Sequence, residues 1–128
     1  MYIATELVRL VRQAMTITSI YTLDEISVRP EMLAAFETSY REIYVPLAND
    51  RGMTLEHAWM SPPVVLNDAP NSLMFIWSVP DPPAWWRMRY GAYEPKVTAF
   101  WLDTAHMVLT RRRIFLGPVA SFGARKDA

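Results

Sequence analysis

The sequence predicts an α+β domain with a four-stranded antiparallel sheet, in which strands and helices follow the order β-α-β-β-α-β. Three observations support this prediction. Four segments are rich in β-branched and aromatic residues, as strands are. Two regions repeat apolar residues at three- and four-residue steps, which is the spacing of an amphipathic helix. Proline, glycine or polar turn residues separate most of these segments, and such residues interrupt regular structure.

The first half of the chain contains one strand and one long helix. Ile17 to Val28 is the first predicted strand, and it stops at Arg29-Pro30 because proline cannot continue ladder pairing. Glu31 to Arg51 is the first long helix, and Gly52 stands where a left-handed C-cap is needed. Pro46 lies inside this helix and is expected to remove one backbone hydrogen bond and bend the last turn.

The second half begins with two strands joined by a long polar loop. A helical region follows that Gly91 and Pro95 divide into two arms. The remaining predicted elements are the strands Thr54 to Met60 and Ser72 to Val79, the helices Ala84 to Tyr90 and Pro95 to about Met107, and the strand Val108 to Leu116. Right-handed crossovers in this order place both long helices on one face of the sheet, which is the ferredoxin-like arrangement.

Length and composition indicate one globular domain. The chain has 128 residues, with 52% hydrophobic and 20% charged residues, which is too apolar for intrinsic disorder. We expect a helical extension over 1–16, the domain over 17–118 and a flexible tail over 119–128. Without cysteines, a signal peptide or a long apolar stretch, the chain is expected to be cytoplasmic, with no membrane partner.

The face of the sheet opposite the helices is predicted to be apolar. The third strand runs Leu73-Met74-Phe75-Ile76-Trp77 without a polar position, although a solvated face requires polar residues at every second place. A monomer rarely exposes so large an apolar patch. We therefore expect a homodimer built sheet to sheet.

Charge excludes one class of partner and leaves one motif open. Thirteen basic and thirteen acidic residues cancel, so no overall field attracts nucleic acid. The basic run Arg111-Arg112-Arg113 lies in the predicted last strand, where at most two of the three side chains share a face. These arginines are interpreted either as a solvated strand end or dimer rim, or as a contact for an anion.

Several segments between about residues 20 and 118 carry a family resemblance. They are Tyr21 to Pro30, Tyr44 to Leu47, Arg51 to Met53, Trp59, Asn71, Trp77 and Arg113 to Pro118. Together they resemble the NIPSNAP-like branch of the dimeric α+β barrel superfamily. The resemblance implies a dimer whose two sheets close into a barrel, with a ligand cavity between each sheet and its own helices. Members of the superfamily include cofactor-independent quinone-forming monooxygenases, polyketide cyclases, lactone isomerases, haem-degrading enzymes and proteins that only bind ligands.

Two ionisable residues are the candidate catalytic groups, and both depart from the family pattern. His57 lies mid-strand and, with Leu55 and Trp59 assigned to its face, is expected to be at least half buried, where a neutral imidazole can act as a general base. Asp24 lies at the centre of the first strand, where a desolvated carboxylate could accept a proton or pair with an arginine such as Arg87 or Arg111. For both residues, a structural role in the core or in a salt bridge is the alternative.

A cluster of aromatic residues is the candidate substrate site. Aromatic side chains at helical spacing either form core or line a pocket for a flat ligand. The candidate substrate-binding residues are Trp77, Trp86, Tyr90, Trp101 and Arg87. Trp86 and Tyr90 lie on the short helical arm before Gly91, which could act as a flap.

These features lead to two functional hypotheses. The first is a small-molecule enzyme without metal or organic cofactor, which acts on a planar polyketide-like or quinone-like substrate by proton abstraction, leading to cyclisation, isomerisation or oxygenation. The second is a non-catalytic dimeric ligand-binding or interaction protein, or a haem binder with His57 or His106 as the axial ligand. Four glycines form no phosphate-binding loop, and two distant histidines form no recognisable metal site.

Overall fold

The sheet of the protein has four antiparallel strands. The computed structural model describes residues 4–9 and 18–119. The strands are β1 (Ile20–Val28), β2 (Thr54–Ser61), β3 (Asn71–Val79) and β4 (Val108–Leu116). They lie in the order β2-β3-β1-β4, and every neighbouring pair is antiparallel. This order, with the helices that connect the strands, confirms the predicted α+β, ferredoxin-like fold.

Two helical regions pack on one face of the sheet. The first consists of a 3-10 turn (Pro30–Met32), helix α1 (Leu33–Ser39), a π-helical segment (Tyr40–Tyr44) and helix α2 (Val45–Asp50). The second consists of helix α3 (Pro82–Gly91), helix α4 (Pro95–Thr104) and a 3-10 turn (Ala105–Met107). The division of the second region at residues 92–94 agrees with the Gly91 and Pro95 signals, because a proline starts a helix more easily than it continues one.

The first long helix changes type ahead of its proline. In a regular α-helix, the ring of Pro46 would clash with the carbonyl group four residues earlier, at Glu42. The wider π-helical segment (Tyr40–Tyr44) directly precedes the turn that contains Pro46. Tyr40 and Tyr44, at the two ends of this segment, are both buried against the sheet. The local irregularity therefore places two phenol groups in the core.

The predicted terminal segments are only partly described. Residues 4–9 are helical and exposed, which agrees with the predicted helix there. The rest of the predicted extension 1–16 lies outside the described residues. Val119 is exposed, and residues 120–128 of the predicted tail also lie outside them.

The two faces of the sheet differ in burial. On β1 and β3, alternate side chains are buried beneath the helices; these are Thr22, Asp24, Ile26, Val28, Asn71, Leu73, Phe75, Trp77 and Val79. The side chains between them are half-buried, and they include Tyr21, Leu23, Met74 and Ile76. We call this second side the open face. It carries the apolar residues that the sequence pattern predicts.

A β-bulge in β2 moves His57 away from the helices. Leu55 pairs with Trp77 and the next paired residue, His57, lies opposite Ile76, so Glu56 is the extra residue. Leu55 and His57 consequently lie on opposite faces, although their spacing in a regular strand would put them on the same face. His57 is exposed, and its ring stacks on Trp59 with the centroids 4.3 Å apart. The expectation that His57 is at least half buried is wrong because of this bulge.

Candidate functional site

A buried ion pair lies at the centre of the helix-covered face. The Asp24 side chain has 0% exposure, and the side chain of Arg113 has 15%. Arg113 lies opposite Asp24 in the β1–β4 register. Its Nε donates to Oδ1 of Asp24 at 2.7 Å, and its Nη2 donates to Oδ2 at 2.9 Å. This bidentate geometry is the strongest form of an arginine–carboxylate contact.

Two tyrosines and a tryptophan extend the ion pair into a network. The Tyr40 hydroxyl donates to Oδ2 of Asp24 at 3.3 Å and accepts from Nε1 of Trp77 at 2.8 Å. The Tyr44 hydroxyl accepts from Nη2 of Arg113 at 2.8 Å. The ring of Tyr40 also stacks on Phe75 with the centroids 3.8 Å apart. The polar atoms of this network are therefore held in place by both hydrogen bonds and ring packing.

The electrostatic environment keeps Arg113 charged and Tyr40 protonated. Burial lowers the pKa of Arg113, but the hydrogen bonds and the negative charge of Asp24 outweigh burial and raise this pKa above its ordinary value. Burial, followed by the charge of Asp24, raises the pKa of Tyr40 well above its ordinary value. Tyr40 can therefore act as a hydrogen-bond donor to the carboxylate throughout the physiological pH range.

A second arginine is buried beside this network. Arg51 is 5% exposed, and its Nη2 donates to the Tyr44 hydroxyl at 3.3 Å and to Sδ of Met53 at 3.1 Å. Its Nε and Nη1 atoms are buried without a hydrogen-bond partner in the described structure. Gly91 makes room for it, because a Cβ at that position would lie 2.9 Å from Cδ of Arg51. Among the described residues, the core therefore holds two arginines against one carboxylate.

A pocket of about 310 Å³ opens next to the ion pair. It lies between β4, the end of α3 and the start of α4. The residues that line it are Arg89, Ala92, Val97, Trp101, Arg111 and Arg113. None of these residues is acidic, so the described wall of the pocket carries net positive charge. The volume falls at the small end of the range of about 300 to 1,000 Å³ that is usual for ligand pockets.

Two of the arginines in the pocket are held by aromatic rings. The guanidinium carbon of Arg111 lies 3.4 Å from the ring centroid of Trp101, and that of Arg89 lies 5.2 Å from the ring centroid of Phe115. Partial burial, followed by the neighbouring charge of Arg113, lowers the pKa of Arg111. Arginine nevertheless remains charged in proteins. Two of the three arginines of the basic run, Arg111 and Arg113, therefore line one cavity.

The candidate substrate-binding residues occupy different places. Trp101 lines the pocket. Trp77 has 0% exposure and belongs to the network beneath the helices. Trp86, Tyr90 and Arg87 are exposed on α3 and are not among the residues that line the pocket. The structure thus brings Trp101 close to the network that contains Asp24 and Trp77. The exposed side of α3 lies apart from this network and from the pocket.

Three residues of the network and pocket were not among the sequence-based candidates: Tyr40, Tyr44 and Arg89. Arg113 was considered only as part of the basic run. A weak signal for the tyrosines was their four-residue spacing on the apolar side of the first helix. Asp24 pairs with an arginine, which was one of its two predicted roles, but the partner is Arg113 and not one of the suggested examples, Arg87 and Arg111. The partners are 89 residues apart, and only the register between β1 and β4 identifies the pair.

The described residues show neither a metal-binding group nor a membrane span. Within residues 4–9 and 18–119, no three histidine, cysteine, aspartate or glutamate side chains are grouped so that they could hold a metal ion. No helix in the same ranges has the length and apolar character needed to cross a membrane.

Comparison with solved structures identifies the fold. A NIPSNAP domain protein from Burkholderia xenovorans superposes with a TM-score of 0.63 at 19% identity, covering 79% of this chain and 95% of that one. A NIPSNAP family protein from Agrobacterium tumefaciens gives a TM-score of 0.64 at 12% identity, with coverages of 80% and 88%. This chain has the NIPSNAP fold. The resemblance seen in the sequence is therefore confirmed at the level of the fold.

Solved structures named as antibiotic biosynthesis monooxygenases share this fold. A candidate antibiotic biosynthesis monooxygenase from Nitrosomonas europaea superposes with a TM-score of 0.59 at 13% identity, covering 80% of this chain and 91% of that one. The sequence matches no protein-family model and no functionally curated protein at a significant level. A shared fold at such low identity does not assign an activity, so function must be argued from the site.

Proposed function

We propose that this protein is a small-molecule enzyme that acts, without an organic cofactor, on a planar oxygen-bearing substrate of the polyketide or quinone type. The observation that carries this proposal is the position of Arg113, which lines the pocket and also binds the buried Asp24. One guanidinium group thus connects a ligand-sized cavity with a desolvated carboxylate. The similarity in fold to candidate antibiotic biosynthesis monooxygenases supports this class of substrate.

The proposed reaction is proton abstraction from the substrate. The proton passes from an acidic carbon or hydroxyl of the ligand to a base, and the electron pair stays on the ligand as an enolate or phenolate. Arg111 and Arg113 lie where they can stabilise this anion, since donors fixed in a partly buried site stabilise developing charge more strongly than water does. Cyclisation or isomerisation of the anion, or its oxygenation by molecular oxygen as co-substrate, would follow.

Asp24 is the candidate base for this pocket. The guanidinium of Arg113 lies between its carboxylate and the cavity, whereas His57 lies on the open face of the sheet. A ligand oxygen that takes hydrogen bonds from Arg113 would release part of the contact between Arg113 and Asp24 and free a carboxylate oxygen. His57 would serve as the base only for a ligand bound at the open face.

The contacts of Asp24 also favour a second candidate function, which is ligand binding without catalysis. Both carboxylate oxygens already accept hydrogen bonds, from Arg113 and Tyr40. A carboxylate engaged in this way can serve mainly to hold Arg113 in position. In this alternative, Arg111 and Arg113 bind the ligand, and no proton is abstracted.

Deuterium exchange into a neutral planar ketone distinguishes the two functions. With 2-tetralone in deuterated buffer, an enzyme accelerates exchange of the acidic C–H protons, as followed by proton NMR, and a binding protein does not. We expect the wild type to accelerate exchange and Asp24→Asn to lose at least tenfold of this rate, since general base catalysis contributes about 10²- to 10⁴-fold. Circular dichroism establishes that the variant is folded.

Two further variants support the exchange measurement. Arg112 lies on the opposite face of β4 and pairs with Glu25, so Arg112→Met is expected to keep the full exchange rate. Arg113→Lys keeps a buried positive charge beside Asp24 but loses the planar fork, and we expect slower exchange. Wild-type exchange at the rate of buffer alone would refute the proposed proton abstraction from this class of ketone.

We propose that two copies of the chain associate through their open faces. Met74 and Ile76 of β3 and Tyr21 and Leu23 of β1 give this face apolar groups that one chain leaves half-buried. We expect sedimentation of a particle with about twice the 14.8 kDa mass of one chain. Ile76→Lys should yield monomers because it places a charge within the interface, whereas Tyr93→Lys, on an exposed residue of the α3–α4 connection, should not. A wild-type monomer at micromolar concentration would contradict the proposal.

A further inference from the structure

The arginines of the pocket differ in how their charges are balanced. Arg113 is neutralised by Asp24. Arg89 and Arg111 form no ion pair and no side-chain hydrogen bond within the described residues. The pocket therefore presents two positive charges without a counter-ion from the described part of the chain.

The way in which these two side chains are held leaves their donors free. The guanidinium carbon of Arg111 lies over the ring of Trp101, 3.4 Å from its centroid, and that of Arg89 lies 5.2 Å and 5.8 Å from the ring centroids of Phe115 and Trp85. The N–H groups of a guanidinium point outward in its plane, so contact with a ring fixes the group without using its donors. Planar carboxylates match such an in-plane set of donors.

The remaining walls of the pocket favour a ligand that is also flat and partly apolar. Ala92, Val97 and the ring of Trp101 are the other lining residues. Burial, followed by repulsion from Arg113, lowers the pKa of Arg111, and a carboxylate bound to Arg111 offsets this repulsion. A bound anion would therefore supply the counter-charge that the described residues of the pocket lack.

We propose that the ligand of this pocket is a planar aromatic carboxylate and that Arg89 and Arg111 bind its carboxylate group. This inference narrows the substrate class and rests on the proposed function only for the location of the ligand. Arg89 and Arg111 determine specificity for the anion, while Arg113 and Asp24 remain at the reacting part of the molecule. Neutral planar ketones then bind more weakly than their carboxylated counterparts.

Calorimetric titration with a matched pair of ligands tests this inference. 2-Naphthoate and 2-naphthamide have the same ring system, and only the first is charged. We expect the full-length protein to bind naphthoate at least tenfold more tightly than naphthamide. Arg111→Met and Arg89→Met should each weaken naphthoate binding by about 10- to 100-fold, which corresponds to the loss of a hydrogen bond to a charged group. Naphthamide binding should change little in either variant.

Control variants and ligands separate specific recognition from general charge attraction. Arg112→Met removes a positive charge from the next residue of β4 but on the opposite face, and Arg87→Met removes an exposed charge from α3. Both should bind naphthoate as the wild type does. Arg111→Lys should recover part of the affinity, since it keeps the charge and loses the fork. Cyclohexanecarboxylate and inorganic phosphate test the need for a flat ring and should bind more weakly than naphthoate.

The outcomes distinguish this inference from the proposed function. Tight naphthoate binding without deuterium exchange into tetralone supports the anion site and refutes the exchange activity. Exchange that is equally fast for tetralone and for a carboxylated tetralone supports the activity and overturns the anion site. Equal affinity for naphthoate and naphthamide, no binding of naphthoate at millimolar concentration, or unchanged binding in both arginine-to-methionine variants also overturns it.

Discussion

Replacing Asp24 by alanine is expected to lower the free energy of unfolding by about 3 to 5 kcal/mol, because it leaves the positive charge of Arg113 buried without a partner. Arg51 already contributes a second buried positive charge to this region, and its Nη2 donates to the same Tyr44 hydroxyl as Arg113 does. The loss of the only carboxylate in this described network therefore leaves two arginines in the core. Urea denaturation, followed by circular dichroism, measures the change.

The neighbouring residue provides the control for this prediction. Glu25 lies next to Asp24 on β1 and pairs with Arg112, whose side chain is 68% exposed. Within a single chain, where this pair is exposed, Glu25→Ala should therefore cost at most about 1 kcal/mol. The double variant Asp24→Leu with Arg113→Met should regain much of the stability, because it removes both charges. Equal losses for Asp24→Ala and Glu25→Ala would show that the buried pair has no special importance for stability.

Replacing Trp77 by alanine is the second change with a large expected effect, about 3 to 5 kcal/mol. The Trp77 side chain has 0% exposure, and its ring contacts both Tyr40 and Tyr44. The substitution opens a cavity beneath the helices and removes the Nε1 donor from the Tyr40 hydroxyl. Thermal and urea unfolding at one fixed protein concentration measure the loss, since association would make stability depend on concentration.

Trp86 offers a matched control for the effect of removing an indole group. Its side chain is 54% exposed on α3, and its ring packs against Trp85 and Tyr90. Trp86→Ala should cost less than about 1 kcal/mol, since substitutions of exposed side chains outside the buried core usually have small effects. If Trp86→Ala lowered the free energy of unfolding as much as Trp77→Ala does, Trp86 would have to be buried in an interface between chains.

The features of the site that the sequence predicts correctly are the faces on which side chains of a regular strand lie. Alternation along β1 correctly placed Asp24 on the same face as Thr22 and Ile26, and Glu25 on the opposite face. Alternation also allowed at most two arginines of the basic run to share a face, and Arg111 and Arg113 do so. Side-chain direction in a regular strand repeats every two residues, so this information is local.

The prediction for His57 failed where that regular repeat is broken. One extra residue, Glu56, reverses the direction of every side chain that follows it in β2. The hydroxyl of Ser78 donates to the Glu56 carboxylate at 2.6 Å, which ties the extra residue to the adjacent strand. No pattern within residues 54–61 distinguishes this bulged strand from a regular one, because the bulge depends on pairing with β3.

The amino-acid sequence is sufficient to predict the order of the elements, the apolar character of both faces of the sheet and the central position of Asp24 on β1. These properties follow from periodicity and from proline and glycine positions, which act over a few residues. Three features are visible only in the folded chain: Arg113 pairs with Asp24, Arg89 and Arg111 line one pocket with Trp101, and His57 faces away from that pocket. Those contacts join residues from separate elements, so they depend on strand register and helix packing.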